Sequence, residues 1–147
     1  MKKQLAGKIL KLCISKKDHK NRVEKEQLGF DLGGVCEDKF NGKDILRSVL
    51  IATKESYDLA HKNDIDISYG QLGENILTDF NPYSLEIGTQ LQIGDAILEI
   101  SQPCTLCNGL SKVNNKLPKL LKSDRGIFAK VISKGSAKIG DEIFILD

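Results

Sequence analysis

Residues 90–103 read QLQIGDAILEISQP, and this stretch decides the fold class of the chain. Apolar residues alternate with polar ones on both sides of the Gly94-Asp95 dipeptide, which is typical of two strands joined by a tight turn. Further apolar runs of strand character lie at 5–14, 45–51, 126–132 and 142–146. Short strands with glycine turns about every ten residues indicate a β-barrel or sandwich. We predict a mainly β fold, an antiparallel β-barrel with a few short helices and no parallel βαβ unit.

Length and composition limit the classes of protein to consider. The chain has 147 residues, 40% of them hydrophobic and 29% charged, so we expect a single domain over residues 1–147 with its own core. This composition excludes disordered, collagen-like and disulfide-knot classes. Aromatic residues make up 5% and tryptophan is absent, so we expect no nucleic-acid partner that stacks on aromatic side chains.

The sequence contains no apolar stretch of the roughly 18–20 residues that cross a bilayer. Lysines interrupt the first apolar segment, which excludes the hydrophobic region of a signal peptide. We therefore expect a cytoplasmic protein with no membrane partner. In that compartment its four cysteines are expected to be thiols.

Two helical regions are predicted. Thr53 is a favourable N-cap, and we expect a short helix over 54–62. Apolar residues spaced by four, three and four positions are typical of one face of a helix, and this spacing occurs at Leu106, Leu110, Val113 and Leu117. We predict helix within 106–122, where Pro118 can open a second short helix.

The strongest chemical feature is the pair Cys104 and Cys107, which follows a strand and opens the predicted helix. The positive end of a helix dipole favours a thiolate, and a thiolate is both a nucleophile and a ligand for soft metals. The residues alone fit several interpretations. They suit a redox pair, half of a zinc site, one functional cysteine with an incidental neighbour, or two small buried hydrophobic residues.

Four segments, taken in order, resemble the MOSC domain, the C-terminal domain of molybdenum cofactor sulfurases. They are Arg47-Ser48-Val49, Gly73-Glu74-Asn75-Ile76-Leu77-Thr78, the strand pair 91–103, and 125–131 with the following Gly135, Gly140 and Asp141. Together they cover roughly residues 30–145. The resemblance implies a β-barrel that handles the molybdenum cofactor or its sulfur.

The resemblance also implies roles for particular residues. Cys107 stands at the place of the family's signature cysteine, so it is expected to ligate molybdenum or to carry sulfur, with Cys104 in a supporting catalytic role. Arg47, Asn75, Lys112 and Arg125 are the residues expected to bind the cofactor, since arginine forks match phosphate oxygens. The implied partners are this small-molecule cofactor and a redox or sulfur-donor protein.

Each assignment has a structural alternative. Arg47 could pair with Asp38 or Asp44, Asn75 could cap a turn, and Arg125 and Lys112 could be solvent-exposed charges. Glu74 could support the site, although we favour a surface charge. Two positions depart from the family pattern: Phe40 stands where a histidine is usual, and Cys104 where an arginine is frequent.

The leading functional hypothesis is a protein linked to the molybdenum cofactor, either an oxidoreductase that binds it or a sulfur carrier for its sulfuration. A non-enzymatic module that stores or delivers the cofactor is the first alternative. A structural thiol protein without a cofactor is the second.

Overall fold

The structure, a computed structural model, describes residues 3–16, 22–104, 114–121 and 125–146. Within these ranges it contains strands β1 Lys3–Ile14, β2 Val23–Lys25, β3 Gln27–Asp31, β4 Gly34–Val35, β5 Val49–Thr53, β6 Ile76–Thr78, β7 Gln90–Ile93, β8 Ala96–Pro103, β9 Ile127–Ser133, β10 Gly135–Lys138 and β11 Glu142–Leu146. The helices are α1 Lys54–Lys62 and α2 Leu117–Leu120, and a 3-10 turn covers Ile45–Arg47.

Seven strands close into a barrel in the order β1-β11-β7-β8-β9-β5-β6 and back to β1. β1 closes the ring because it pairs with β11 along one part of its length and with β6 along another, and β2 extends it on one side. The expected barrel is therefore confirmed, with the first and last strands paired. Closure removes the open edges that a flat sheet of this length would expose.

The barrel is mixed rather than antiparallel, so the expectation of purely antiparallel strands was wrong. β5 and β6 are parallel, with Ile51 opposite Ile76 and Thr53 opposite Thr78. A parallel pair needs a long crossover, and here α1 and residues 63–75 supply it. The expectation that no βαβ unit exists was also wrong, because the β6 run is only three residues long and gave a weak sequence signal.

The core follows the alternation of the strands. Every second residue of β7 and β8 points inward, with Leu91, Ile93, Leu98 and Ile100 at most 1% exposed. A second apolar cluster packs α1 and α2 on the outside of the barrel through Tyr57, Ala60, Leu77, Leu117 and Leu121. These two layers hold the strand ends that surround the cavity described below.

The predicted strand over 45–51 is only partly right, because β5 starts at Val49. Residues Ile45–Arg47 form a 3-10 turn in which Ile45 and Leu46 are 44% and 49% exposed. Hydrogen bonds explain the difference: the Arg47 amide donates to the Asp44 carbonyl, and Ser48 Oγ donates to the Ile45 carbonyl. The turn directs Arg47 out of the sheet and toward the cavity.

The helix over 54–62 is confirmed, and the Thr53 side chain caps it. Of the region 106–122, α2 confirms helix at Leu117–Leu120 with Pro118 in its first turn, while 105–113 and 122 lie outside the described residues. No helix in the described part of the chain is long and apolar enough to cross a membrane.

Candidate functional site

A cavity of about 360 Å³ opens where β5, β6 and β9 meet the loop after β4. The side chains that line it are mainly charged or aromatic: Arg22, Asp38, Phe40, Lys43, Asp44, Arg47, Ser48, Leu50, Gly73, Asn75, Arg125 and Phe128. Its volume lies within the roughly 300–1,000 Å³ of typical small-molecule sites. The cavity can therefore accept a ligand of moderate size.

The sequence has three arginines, and all three line this cavity. Nε and Nη1 of Arg125 and Nε of Arg22 are buried and have no hydrogen-bond partner among the described residues. A buried donor without a partner carries a free-energy cost of about 1–3 kcal/mol, and more when it is charged. Such donors at the wall of a cavity suit the oxygens of an anionic ligand, which would satisfy them.

Asp38 and Asn75 form the floor of the cavity. Asp38 is 7% exposed, and its carboxylate accepts from the amides of Ser15 at 2.6 Å and Phe40 at 3.1 Å. The Asn75 side chain accepts from the Leu50 amide at 3.0 Å and donates to the Cys13 carbonyl at 3.2 Å. Its amide nitrogen also lies 3.5 Å from Asp38 Oδ1. These bonds tie β1, β5 and the Asp38 loop together below the arginines.

Arg22 differs from Arg125 because acids surround it. Burial lowers the pKa of Arg22, and the negative charges of Asp38 and Glu74 oppose that shift. Nη1 of Arg22 donates to Ser15 Oγ. Arg22 is therefore held in place by the protein, and the nearby carboxylates oppose its positive charge.

Glu74 lies beneath the floor and is 1% exposed, so the expectation of a surface charge was wrong. Its carboxylate accepts from Tyr57 Oη at 2.6 and 2.8 Å and from the Gly70 amide at 3.0 Å. The preceding Gly73 has φ +87°, which turns the chain so that its backbone approaches Arg125. The Gly-Glu-Asn segment thus joins the cavity wall to a buried polar network.

Arg47 and Phe40 stand at the mouth of the cavity. The Arg47 guanidinium lies 5.0 Å from the centre of the Phe128 ring, and its side chain is exposed. Among the described residues Arg47 forms no salt bridge with Asp38 or Asp44, the partners considered above. Phe40 is 49% exposed although it lines the cavity.

The cysteines occupy different environments. Cys104 is 5% exposed and packs against Leu50 and Phe128, which both line the cavity. Cys13 is buried, and burial followed by the charge of Glu74 raises its pKa to about 11. Cys36 is half-buried, with its thiol 3.5 Å from Asp31 Oδ2, and burial raises its pKa as well. Cys107 lies outside the described residues.

The structure brings Arg47, Asn75 and Arg125 to one cavity and puts Cys104 in its wall. Lys112 lies outside the described residues. Sequence reasoning missed Arg22 as a lining residue. The rarity of arginine in a lysine-rich chain was the signal that could have identified it, because guanidinium groups are favoured for anion recognition.

Comparison with known protein families identifies the family of this chain. The sequence profile of the MOSC domain matches residues 37–144, which is more than half of the chain. The chain belongs to the MOSC domain family. Membership links this MOSC domain to functions related to the molybdenum cofactor.

Solved structures show the same MOSC fold. The YuaD protein from Bacillus subtilis is 21% identical with a TM-score of 0.83, and the match covers 98% of this chain and 97% of that one. The YiiM protein from Escherichia coli is 17% identical with a TM-score of 0.71, over 95% of this chain and 70% of that one. YiiM from Geobacillus stearothermophilus is 13% identical with a TM-score of 0.71, over 99% and 76%. A comparison with curated protein sequences gave no match.

Proposed function

We propose that this MOSC domain binds the molybdenum cofactor in the arginine-lined cavity and that Cys107 supplies the thiolate that meets the metal. The proposal rests on the buried guanidinium nitrogens of Arg125 and Arg22 that have no hydrogen-bond partner among the described residues. The cofactor carries a phosphate, and phosphate oxygens satisfy guanidinium donors in pairs. Family membership supports the choice of this phosphate-bearing ligand over other anions.

The charges of the lining side chains support the same ligand. Arg22, Lys43, Arg47 and Arg125 are cations, whereas Asp38 and Asp44 are anions, so the lining has a net positive charge. Asp38 already accepts two backbone amide hydrogens and is directed to the floor. Its charge is therefore opposed by local dipoles, which leaves Arg47 and Arg125 to attract the phosphate.

The proposed role of Cys107 rests on the sequence and on the position of Cys104 against two side chains that line the cavity. Cys104 ends the described segment in the wall of the cavity, and Cys107 follows three residues later. Three residues span at most about 10–11 Å, so the chain is long enough for the Cys107 thiol to reach the cavity. Cys104, packed against apolar side chains, has a supporting role: its thiolate attacks the inner sulfur of a persulfide on Cys107, which breaks the persulfide S–S bond, forms the Cys104–Cys107 disulfide and releases hydrosulfide.

When bound, the cofactor supplies two-electron redox or sulfur-transfer chemistry. In this proposal the chain's own residues position the cofactor, exclude water on the side of Leu50 and Phe128, and hold Cys107 as a thiolate. Electrons or sulfur come from a partner protein. Turnover of an N-hydroxylated substrate with a reducing dye distinguishes an oxidoreductase from a sulfur carrier.

The binding proposal is tested by molybdenum and pterin contents of protein purified from a molybdate-supplied host. We expect Arg125→Gln to lower both contents at least tenfold, because it removes two orphaned donors. Lys54→Gln is the matched control, since Lys54 is an exposed cation on α1 away from the cavity, and it should load like the wild type. Equal loading of Arg125→Gln and wild type would contradict the proposed site.

The thiol assignment is tested with serine variants. We expect Cys107→Ser to abolish loading and Cys104→Ser only to weaken it. Cys36→Ser is the control, because Cys36 contacts Asp31 rather than the cavity. Normal loading of Cys107→Ser, or alkylation of Cys104 before Cys107 near neutral pH, would reject the assignment.

A further inference from the structure

We infer that Phe40 is a specificity-determining residue of the cavity, and that it favours ligands that carry a planar unsaturated ring as well as an anionic group. This rests on the proposed function, because it assumes that the arginines receive an anion. It goes further by assigning the neighbouring part of the ligand to particular side chains at the mouth.

The first observation is that Phe40 is exposed but firmly held. Its backbone amide donates to Asp38 Oδ2 at 3.1 Å, and its carbonyl accepts from the Lys43 amide at 3.0 Å. Asp38 is itself buried and bonded to the Ser15 amide. The half-exposed ring therefore belongs to an ordered turn, and its backbone is fixed before any ligand arrives.

The second observation is a planar cation close by. Arg47 is exposed, lines the same cavity and stacks its guanidinium on Phe128 with 5.0 Å to the ring centre. A guanidinium plane stacks on unsaturated rings with either face. The cavity therefore presents two exposed planar groups, the Phe40 ring and the Arg47 guanidinium, and its lining also includes the buried donors of Arg125.

The third observation concerns the apolar wall. Leu50 and Phe128 are 6% and 9% exposed and line the same cavity. The Lys39 ammonium lies 5.0 Å from the centre of the Phe40 ring and covers one ring face, so we expect a planar group of the ligand to stack on the opposite face. A ring in this position contacts apolar carbon as well, while its phosphate contacts the arginines.

The probes are phenyl phosphate, cyclohexyl phosphate and inorganic phosphate, titrated calorimetrically into the full chain expressed without molybdate. The two esters have the same charge and differ in the planarity of the ring. Aromatic pairing contributes about 0.5–1.5 kcal/mol, which corresponds to an affinity ratio of about 2–12. We expect wild type to bind phenyl phosphate more tightly than cyclohexyl phosphate by a factor in that range.

Variants at Phe40 separate the aromatic ring from simple apolar area. Phe40→Leu keeps a large apolar side chain, and we expect it to bind both esters with equal affinity while its affinity for inorganic phosphate stays within about twofold. Phe40→Tyr keeps the ring and should keep the preference. Because the side chain is half-exposed, thermal melting should show all variants folded.

The outcomes distinguish the two proposals. If wild type binds the esters equally, or if Phe40→Leu keeps the preference, the inference about Phe40 is overturned. Uniform weakening of all three probes in Arg125→Gln would at the same time support the anion site. If wild type binds none of the probes, the anion site of the proposed function is overturned as well.

Discussion

Asn75 connects three separate parts of the chain through one amide side chain. Its Oδ1 accepts from Leu50, and its Nδ2 donates to Cys13 and approaches Asp38. The sequence left the role of Asn75 open between a turn and a binding site. Its contacts show that the amide braces the floor of the cavity that it lines.

We predict that Asn75→Ala lowers the free energy of unfolding by about 2–4 kcal/mol, because it removes two buried hydrogen bonds, from the Leu50 amide and to the Cys13 carbonyl. Urea denaturation measures the change. Asn63→Ala is the control: Asn63 also bonds a backbone carbonyl through Nδ2, but at an exposed position, and the expected loss is under about 1 kcal/mol. Equal losses of unfolding free energy in the two variants would contradict the prediction, because the buried hydrogen bonds of Asn75 would then contribute no more than the exposed one of Asn63.

Cys13 predicts a pH dependence of stability. Burial and Glu74 raise the pKa of its thiol to about 11 from an ordinary value of 9.0. The folded state thus retains the proton after the unfolded state has lost it, so this contribution is complete below pH 9 and is lost as pH rises toward 11. In urea denaturation at pH 8 to 10.5, we expect Cys13→Ala to lose stability less steeply than wild type. The same slope in both proteins would contradict this assignment.

At the scale of single residues, the sequence predicted Arg47 and Arg125 at the site because their chemistry suits phosphate. It could not predict that Glu74 is buried. The hydrogen bond that offsets the free-energy cost of burying this carboxylate comes from Tyr57, which lies 17 positions away on α1. Arg22 was missed for a similar reason. The pairing of β1 with both β2 and β6 brings the start of β2 to the cavity beside Asn75.

Among the secondary-structure elements, α1 performs two functions: it crosses from β5 to the parallel β6, and it supplies Tyr57 to the polar network. Tyr57 Oη donates to Glu74 and accepts from the amides of Gly70 and Leu72 at 2.9 and 3.2 Å. One hydroxyl therefore fixes the loop that leads into the Gly-Glu-Asn segment.

We predict that Tyr57→Phe lowers the free energy of unfolding by about 2–4 kcal/mol, since it removes a donor from a buried carboxylate and an acceptor from two amides. Tyr69→Phe is the control, because Tyr69 packs edge-on against Tyr57 at 4.9 Å but is 41% exposed. Its expected loss is under about 1 kcal/mol. Thermal or urea denaturation that ranks the two variants in the opposite order would contradict this account.

The sequence predicted long elements well and short ones poorly. β8, at eight residues, has clear alternation, β9, at seven residues, is a nearly continuous apolar run, and α1 has a clear cap. The boundary at Val49 was missed because Ile45 and Leu46 are as apolar as the strand that follows them. Local hydrogen bonds of Asp44 and Ser48, rather than hydrophobicity, decide where that strand begins.

For the whole molecule, stability depends on closure of the ring by β11. Ile143 is fully buried and lies between β1 and β7, opposite Gly7 and Ile93. We predict that Ile143→Ala costs about 2–5 kcal/mol of unfolding free energy. Ile139→Ala, the matched exposed control at 41% exposure, should cost under about 1 kcal/mol. A small loss for Ile143→Ala would mean that β11 adds little to the barrel.

The overall topology was predictable as a barrel because every strand run needed a partner and the first and last runs were available to each other. Its mixed character was not, because β6 is short and its parallel partner is reached only through α1. The resemblance to the MOSC family was confirmed independently by the family profile over residues 37–144.

The central claim is that the molybdenum cofactor lies in the cavity formed by Arg22, Arg47 and Arg125. The most direct test is an anomalous difference map at the molybdenum edge from crystals of protein loaded in a molybdate-supplied host. The account predicts one molybdenum peak within bonding distance of Cys107 Sγ, and cofactor phosphate density on Arg125. A peak elsewhere, such as in the surface concavity lined by Asp95, Asp141 and Glu142, would contradict it.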